Sequence, residues 1–193
     1  MSGPRIAPLE PPFSPATAAE LARWMPPGAD LPPLALFRTL ATDLPLAQAM
    51  QALGSLLLSR RFALPLRERE IVIDRVCARC GCAYEWGVHV AAFGGAARLD
   101  EAQIAATCAT EPAPGVWSER EELLVSAVDQ LHDGGHIDDA LWSGLAAHYD
   151  ERQLLELLVL CGWYHLISFV ANGAGVAPEP WARPFPPSAA ERP

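Results

Sequence analysis

The distribution of proline constrains this chain more than any other feature. Its 19 prolines crowd into residues 1–15, 26–33 and 178–193, while the body from Leu46 to Asn172 is interrupted only at Pro65, Pro112 and Pro114. Proline lacks an amide donor and clashes with the preceding helical turn, so a long proline-poor body favours helices and proline-rich ends favour extended arms. The reading is therefore one helical domain at residues 33–177. A Pro-rich arm with a short helix precedes it at 1–32, and an extended Pro-rich tail follows at 178–193. The arms are expected to lie on a surface, the chain's own or a neighbour's.

Helix starts are written into the body. Asp100 with Gln103, Ser118 with Glu121, and Asp150 with Gln153 have capping-box spacing. They predict helices at 100–109, 118–132 and 150–172, with a shorter one at 138–148. Further helices are expected from Ser14-Pro15 to Met25, and over 34–42, 46–61, 67–79 and 83–93, with Gly81 as a break and Gly94-Gly95 as an end. Apolar residues recur at three and four, as in Leu123, Leu124, Ala127, Val128 and Leu131, and no segment alternates at period two. The fold class is all-α.

With 14 Lys and Arg against 23 Asp and Glu, the net charge is −9. No basic cluster offsets it, which argues against a nucleic-acid partner. Leu154–Ala171 is long and apolar, but it carries Glu156, Gly162 and His165 and has no basic flank, so no membrane partner is expected. The opening residues hold no apolar run of signal-peptide length, and the five cysteines are an odd number. Reduced thiols and a cytoplasmic location follow as the expectation.

Unusual residues concentrate in LREREIVIDRVCARCGCAYEWGVHVAAFG, residues 66–94. Helical spacing puts Glu70, Asp74 and Cys77 along one side of one helix, and Cys82, Glu85 and His89 along one side of the next. If the two helices fold back at Gly81, Glu70 can approach His89. A carboxylate beside an imidazole fixes its tautomer and favours its protonated form, which suits proton transfer near neutral pH. A thiol at a helix start near that pair, Cys82, would have its thiolate favoured. The same residues also fit a purely structural role: a glutamate paired with arginine, a hydrogen-bonded core histidine, and cysteines as small hydrophobes.

Cys77, Cys80, Cys82 and His89 offer four metal-ligating side chains within 13 residues. No second knuckle accompanies them, so no metal is expected. Cys77-Ala78-Arg79-Cys80 is formally a redox CxxC, but it lacks the strand context of thioredoxin-like sites. His132 and His136 flank a Gly-Gly turn and are expected to be exposed. Cys108 and Cys161 read as core residues.

Leu66-Arg67-x-x-Glu70, Tyr84-Glu85-Trp86, His89 and Gly94 together resemble the carboxymuconolactone decarboxylase family, which includes the alkylhydroperoxidase D-like proteins. Leu34–Ala41 resembles its entry helix. Leu154–Gly175, with Trp163-Tyr164-His165 and Asn172, resembles its closing helix. The resemblance implies an alkylhydroperoxidase D-like helical bundle, a homo-oligomer (trimer or hexamer), a small-molecule substrate and no cofactor. In the family's peroxidase branch a glutamate precedes Cys-x-x-Cys-x-x-x-His. Registering His89 on that histidine places Cys82 on the first cysteine, Glu85 on the second and Glu70 on the glutamate.

Loss of the second thiol removes the usual resolving partner of a peroxidase cycle. The resemblance then implies the decarboxylase-like branch: general acid/base chemistry on a small organic acid, lactone or related carbonyl compound. His89 would be the acid/base, Glu70 would orient it, and Glu85 would hold water or substrate. Tyr84, Trp86 and His165 would line the substrate site. The alternatives are thiol-dependent peroxide reduction through Cys82, with Cys80 resolving, and a non-catalytic oligomeric ligand-binding protein.

Overall fold

The computed structural model describes residues 3–26, 28, 30–110 and 114–186; the expected tail beyond 186 and the break at Pro112 lie outside the described residues. All its regular elements are helices: α1 (Pro15–Trp24), α2 (Ala35–Leu40), α3 (Leu44–Leu57), α4 (Leu66–Arg79), α5 (Ala83–Phe93), α6 (Glu101–Thr107), α7 (Glu119–Gly134), α8 (Asp139–Ala146) and α9 (Glu151–Ala174).

Local chemistry explains most of the boundaries. All three capping boxes form at α6, α7 and α9, each side-chain oxygen accepting an amide that the first turn leaves free. Helix α3 begins at Leu44, earlier than expected, because Pro45 fits the first turn and Asp43 accepts the Leu46 amide. It ends at Leu57, short of Arg61. Helix α7 runs through the expected Gly-Gly turn to Gly134 and stops at Gly135, whose left-handed φ of 71° suits a residue without a Cβ.

Helix α4 is the centre of the bundle, packed by α5, α6, α7 and α9. Every residue from Glu68 to Cys77 is buried, although the helix is rich in charge. Burying an ion is costly unless it is paired, and partners arrive from the surrounding helices. Arg67 bonds Glu121 at 2.5 Å and Arg120 lies 2.8 Å from Glu68. Arg75 forks onto both carboxylate oxygens of Asp129 at 2.8 and 2.7 Å and also reaches the Thr107 and Ala109 carbonyls. Helix α9, packed on α4, α5 and α8, is long and apolar enough by length and composition to cross a membrane. In this fold half of that apolar window is buried inside the chain.

Both proline-rich ends, as far as they are described, lie on their own chain. The Arg5 and Ile6 amides donate to the Ala174 carbonyl at 2.8 and 3.1 Å, and the Leu9 amide donates to the Arg38 carbonyl. At the other end, the Arg183 amide donates to the Gly87 carbonyl at 3.0 Å. Glu179 accepts the Ala35 amide at 2.6 Å, capping α2, whose own Leu34 offers no side-chain cap.

If the α9 cap acts as described, Asp150→Ala lowers the unfolding free energy by about 1 kcal/mol. Asp139→Ala, in a first turn but at no cap, changes it by less than about 0.5 kcal/mol. Urea denaturation of the two variants side by side measures the difference.

Candidate functional site

The turn between α4 and α5 sets the site. Gly81 adopts a left-handed φ of 61°, which side chains rarely tolerate. The Cys82 amide then donates to the Cys77 carbonyl at 2.8 Å, and Asn172 of α9 donates to the Cys80 carbonyl at 2.9 Å. Helix α5 is thereby folded back on α4, and Glu70 meets His89. The His89 Nδ1 lies 2.8 Å from Glu70 Oε2, both side chains almost fully buried. Nδ1 donates to that oxygen, so the imidazole orientation is set by the carboxyl group.

The opposite ring nitrogen, Nε2, lies 3.0 Å from the Tyr164 hydroxyl on α9 and 3.6 Å from Glu85 Oε2, one turn earlier on α5. Behind Glu70, the buried Arg69 reaches Oε1 at 3.4 Å while also donating to the Leu57 and Ser59 carbonyls. The result is a continuous row, Arg69–Glu70–His89–Tyr164, crossing from α4 through α5 to α9.

One end of this row opens on a cavity of about 500 Å³, where Glu85, His89 and Tyr164 form a polar patch. Its walls combine the rings of Trp24, Phe37, Phe93, Trp163 and Trp181 with aliphatic side chains such as Leu34, Leu36 and Ile167. Arg23, also lining it, is already bound to Glu20 and Gln51.

Burial pulls the His89 pKa down, but the charge and hydrogen bond of Glu70, reinforced by Glu85 and Asp74, leave it above the ordinary histidine value. Burial pushes Glu85 up despite His89. Tyr164 is raised strongly, by burial and then by Glu85 and Glu70, so its hydroxyl stays protonated and available as a donor.

Asp74, one turn after Glu70, is 1% exposed, and neither carboxylate oxygen has a hydrogen-bond partner. Burial lifts its pKa well above the usual range, more than His89 lowers it.

Several expected site residues stand elsewhere. Cys82, the N-cap of α5, is fully buried and does not line the cavity. Its thiol is pushed up to about 12, by burial first and the nearby Glu85 second, which reverses the expected thiolate. A helix start favours an anion only where solvent or a cation supports it.

Tyr84 and Trp86 flank Glu85 in sequence and are therefore turned about 100° to either side of it. The Tyr84 hydroxyl donates to Glu179 at 2.7 Å and accepts the Leu36 amide, tying the tail to α2. Trp86 is fully buried, its indole nitrogen on Thr107 at 3.0 Å and its ring edge-on to Phe185.

His165 also turns away from the cavity, as its neighbour Tyr164 turns toward it. Its Nε2 lies 3.0 Å from Nδ1 of His132, which is half-buried, contrary to the expected exposure. The local quartet Cys77, Cys80, Cys82 and His89 does not converge, since Cys80 faces His132.

Tyr164 and Arg69 were not among the expected site residues. The signal for Tyr164 is the α9 stripe Leu157, Leu160, Cys161, Tyr164, Ile167, Ser168 and Ala171, all buried at spacings of three and four.

The sequence matches the family described as the carboxymuconolactone decarboxylase family over residues 45–130, the stretch that carries Glu70, Cys82, Glu85 and His89. That stretch, a little under half of the chain, is similar to the carboxymuconolactone decarboxylase family. No curated protein matches it by sequence. Solved structures share its fold at low identity. The debrominase Bmp8 superposes with a TM-score of 0.73 at 15% identity, covering 91% of this chain and 92% of that one. An uncharacterized peroxidase-related protein from Silicibacter sp. TM1040 gives 0.72 at 17%, covering 93% and 96%. A protein of unknown function from Agrobacterium tumefaciens, suggested to be the antioxidant-defence protein AhpD, gives 0.65 at 22%, covering 72% and 94%. The fold is thus the AhpD-like helical bundle.

Because the raised Asp74 binds a proton in the folded state that the unfolded chain releases near its ordinary pKa of 3.8, stability falls as pH rises above that value. Asp74→Asn removes the titration. It should raise unfolding stability at pH 7 by about 1–2 kcal/mol and flatten the decline between pH 4 and 7. Urea melts at pH 4, 5.5 and 7 test both parts.

Proposed function

We propose that this chain is a general acid/base enzyme of the decarboxylase-like branch, acting on a small, flat, unsaturated acid, lactone or related carbonyl compound. The observation that carries this reading is the clamped imidazole. His89 is held by Glu70 on one nitrogen and presents the other, beside Tyr164 and Glu85, to an apolar cavity. The thiol that a peroxidase would need lies buried outside that cavity.

The groups fit a two-stage reaction. A carboxylate activated by a neighbouring carbonyl or lactone loses CO₂, and its bonding electron pair moves into the conjugated system as an enolate. The Tyr164 hydroxyl donates a hydrogen bond to the enolate oxygen, an interaction stronger in the transition state than in the substrate. His89, protonated through Nε2, delivers its proton to the carbon and recovers one from water. Its raised pKa keeps a substantial imidazolium fraction near neutral pH. Glu85, raised by burial, spends more of its time neutral than an exposed glutamate and repels an acidic substrate less.

The aromatic rings within the wall offer flat faces on which a planar ligand can stack. A cysteine-to-alanine variant of the debrominase has been solved in complex with 2,3,4-tribromopyrrole, a flat apolar ring, which supports that ligand shape for this fold. We extend the proposal to assembly as a homo-oligomer. Leu155, Leu166 and Phe169 of α9 stand exposed in the single chain, Phe169 at 68%, and burying them against a second copy would stabilise such an assembly.

A panel of unsaturated lactone acids, followed by CO₂ release, tests the reading. His89→Gln should lower kcat at least about 1000-fold with unchanged helical content, and Tyr164→Phe about 10–100-fold. Glu70→Gln should lower kcat and shift the acid-dependent limb of the pH profile to lower pH, since the partner that raises His89 is gone. Cys82→Ser should keep most of the turnover. Full CO₂ release by His89→Gln refutes the proposal. Hydroperoxide consumption that disappears in Cys82→Ser would instead establish the thiol route.

A further inference from the structure

His165 and His132, two histidines with no place in the acid/base row, come together with Cys80 away from the cavity. Cys80 is the C-cap of α4, His132 lies in the last turn of α7, and His165 lies mid-way along α9. Their ligand atoms, Cys80 Sγ, His132 Nδ1 and His165 Nε2, all lie within 4.8 Å of one another. The two nitrogens are 3.0 Å apart, and Cys80 Sγ is 3.9 Å from His132 Nδ1. A tetrahedral zinc ion, with bonds of about 2.0–2.1 Å to nitrogen and about 2.3 Å to sulfur, would set these separations near about 3.4 and 3.6 Å. Those two separations are within about 0.3–0.4 Å of the tetrahedral values, and Cys80 Sγ, no more than 4.8 Å from His165 Nε2, belongs to a side chain that is only half-buried and has room to close on the ion.

The surroundings are arranged as a metal site requires. His165 Nδ1 donates to the Cys161 carbonyl, one turn back on α9, at 2.8 Å. That bond leaves the lone pair of His165 on Nε2, the atom facing the cluster, and is the usual outer-shell anchor of a ligating histidine.

Arg79, which lines the hollow beside the cluster, is matched by ion pairs to Asp129 at 3.7 Å and to Asp133, which limits its repulsion of a cation. Cys80 and His132 also line an open cavity of about 760 Å³, which provides an entry path and room for a fourth, exogenous ligand. Among the described residues this is the one group of three such side chains whose ligand atoms converge.

We propose that Cys80, His132 and His165 form a binding site for a borderline divalent transition-metal ion of the zinc class, separate from the His89 cavity. Two imidazoles and one thiolate suit zinc, and the absence of a carboxylate from the trio disfavours magnesium and calcium. Binding displaces the Cys80 thiol proton to solvent and breaks the contact between the two rings; His132, whose Nδ1 donates to His165 Nε2 in the free protein, carries its proton on Nε2 instead, so that both facing nitrogens offer lone pairs to the ion. The two sites share no residue, so this proposal stands or falls independently of the acid/base reading.

The test uses the full chain, without an affinity tag, stripped by a chelator and then titrated with zinc(II) and with cobalt(II) as a spectroscopic probe. About one ion should bind per chain, and the cobalt form should show a thiolate-to-cobalt charge-transfer band with the intense visible absorption of a four-coordinate ion. Cys80→Ser should abolish the charge-transfer band, and Cys80→Ser and His165→Gln should each weaken zinc binding at least about 10-fold. His89→Gln should leave the titration unchanged. Failure of the parent chain to show the band at equimolar cobalt overturns the proposal, whatever the variants do. So does a band that survives Cys80→Ser, or one that is lost in His89→Gln.

Discussion

A charged helix buried at the centre of a helical bundle is a demanding arrangement, and the structure is organised around satisfying it. Ten consecutive residues of α4 are hidden from solvent, and five of them are Glu, Arg or Asp. Apolar packing alone could not tolerate this, because each unpaired buried ion would cost several kcal/mol. The surrounding helices therefore bring complementary groups: Glu121 and Asp129 from α7, His89 from α5, and the Leu57 carbonyl from the end of α3. The contact between Glu70 and His89 belongs to this network. Its geometry is held by the same pairings that hold the bundle, so the site inherits the rigidity of the core.

Much of this was legible because helices have a strict period. Glu85 and His89 share a face by their spacing of four, and the Gly81 break between two helices makes a hairpin, which together place Glu70 near the ring. Capping boxes at Asp100, Ser118 and Asp150 mark starts that the structure reproduces. The misplaced residues are those where a shift of one position, about 100° of rotation, decides the partner. Tyr164 rather than His165 faces the cavity, and Glu85 rather than Tyr84 or Trp86, because each lies on the buried stripe that carries the site.

Other features depend on contacts remote in sequence and leave no local trace. A sequence as charged as α4 reads as a surface helix until its partners, 52 to 54 residues away on α7, are known. The thiol of Cys82 sits at a helix start, which favours a thiolate, yet complete burial outweighs that influence. His132 and His165 are 33 residues apart, so their meeting emerges only when α7 and α9 pack against the same end of α4.

The cavity wall also joins two distant parts of the chain, since Trp24 of α1 faces the same hollow as Trp181 of the carboxy-terminal segment. That segment is pinned by Glu179 and by the Arg183 amide, where a Cβ at Gly87 would overlap the Arg183 carbonyl oxygen. The helices themselves pack around α4 without that segment, which adds only the outer wall. Without it the hollow beside His89 would lack one side, so the pocket is complete only when residues 179–183 are seated.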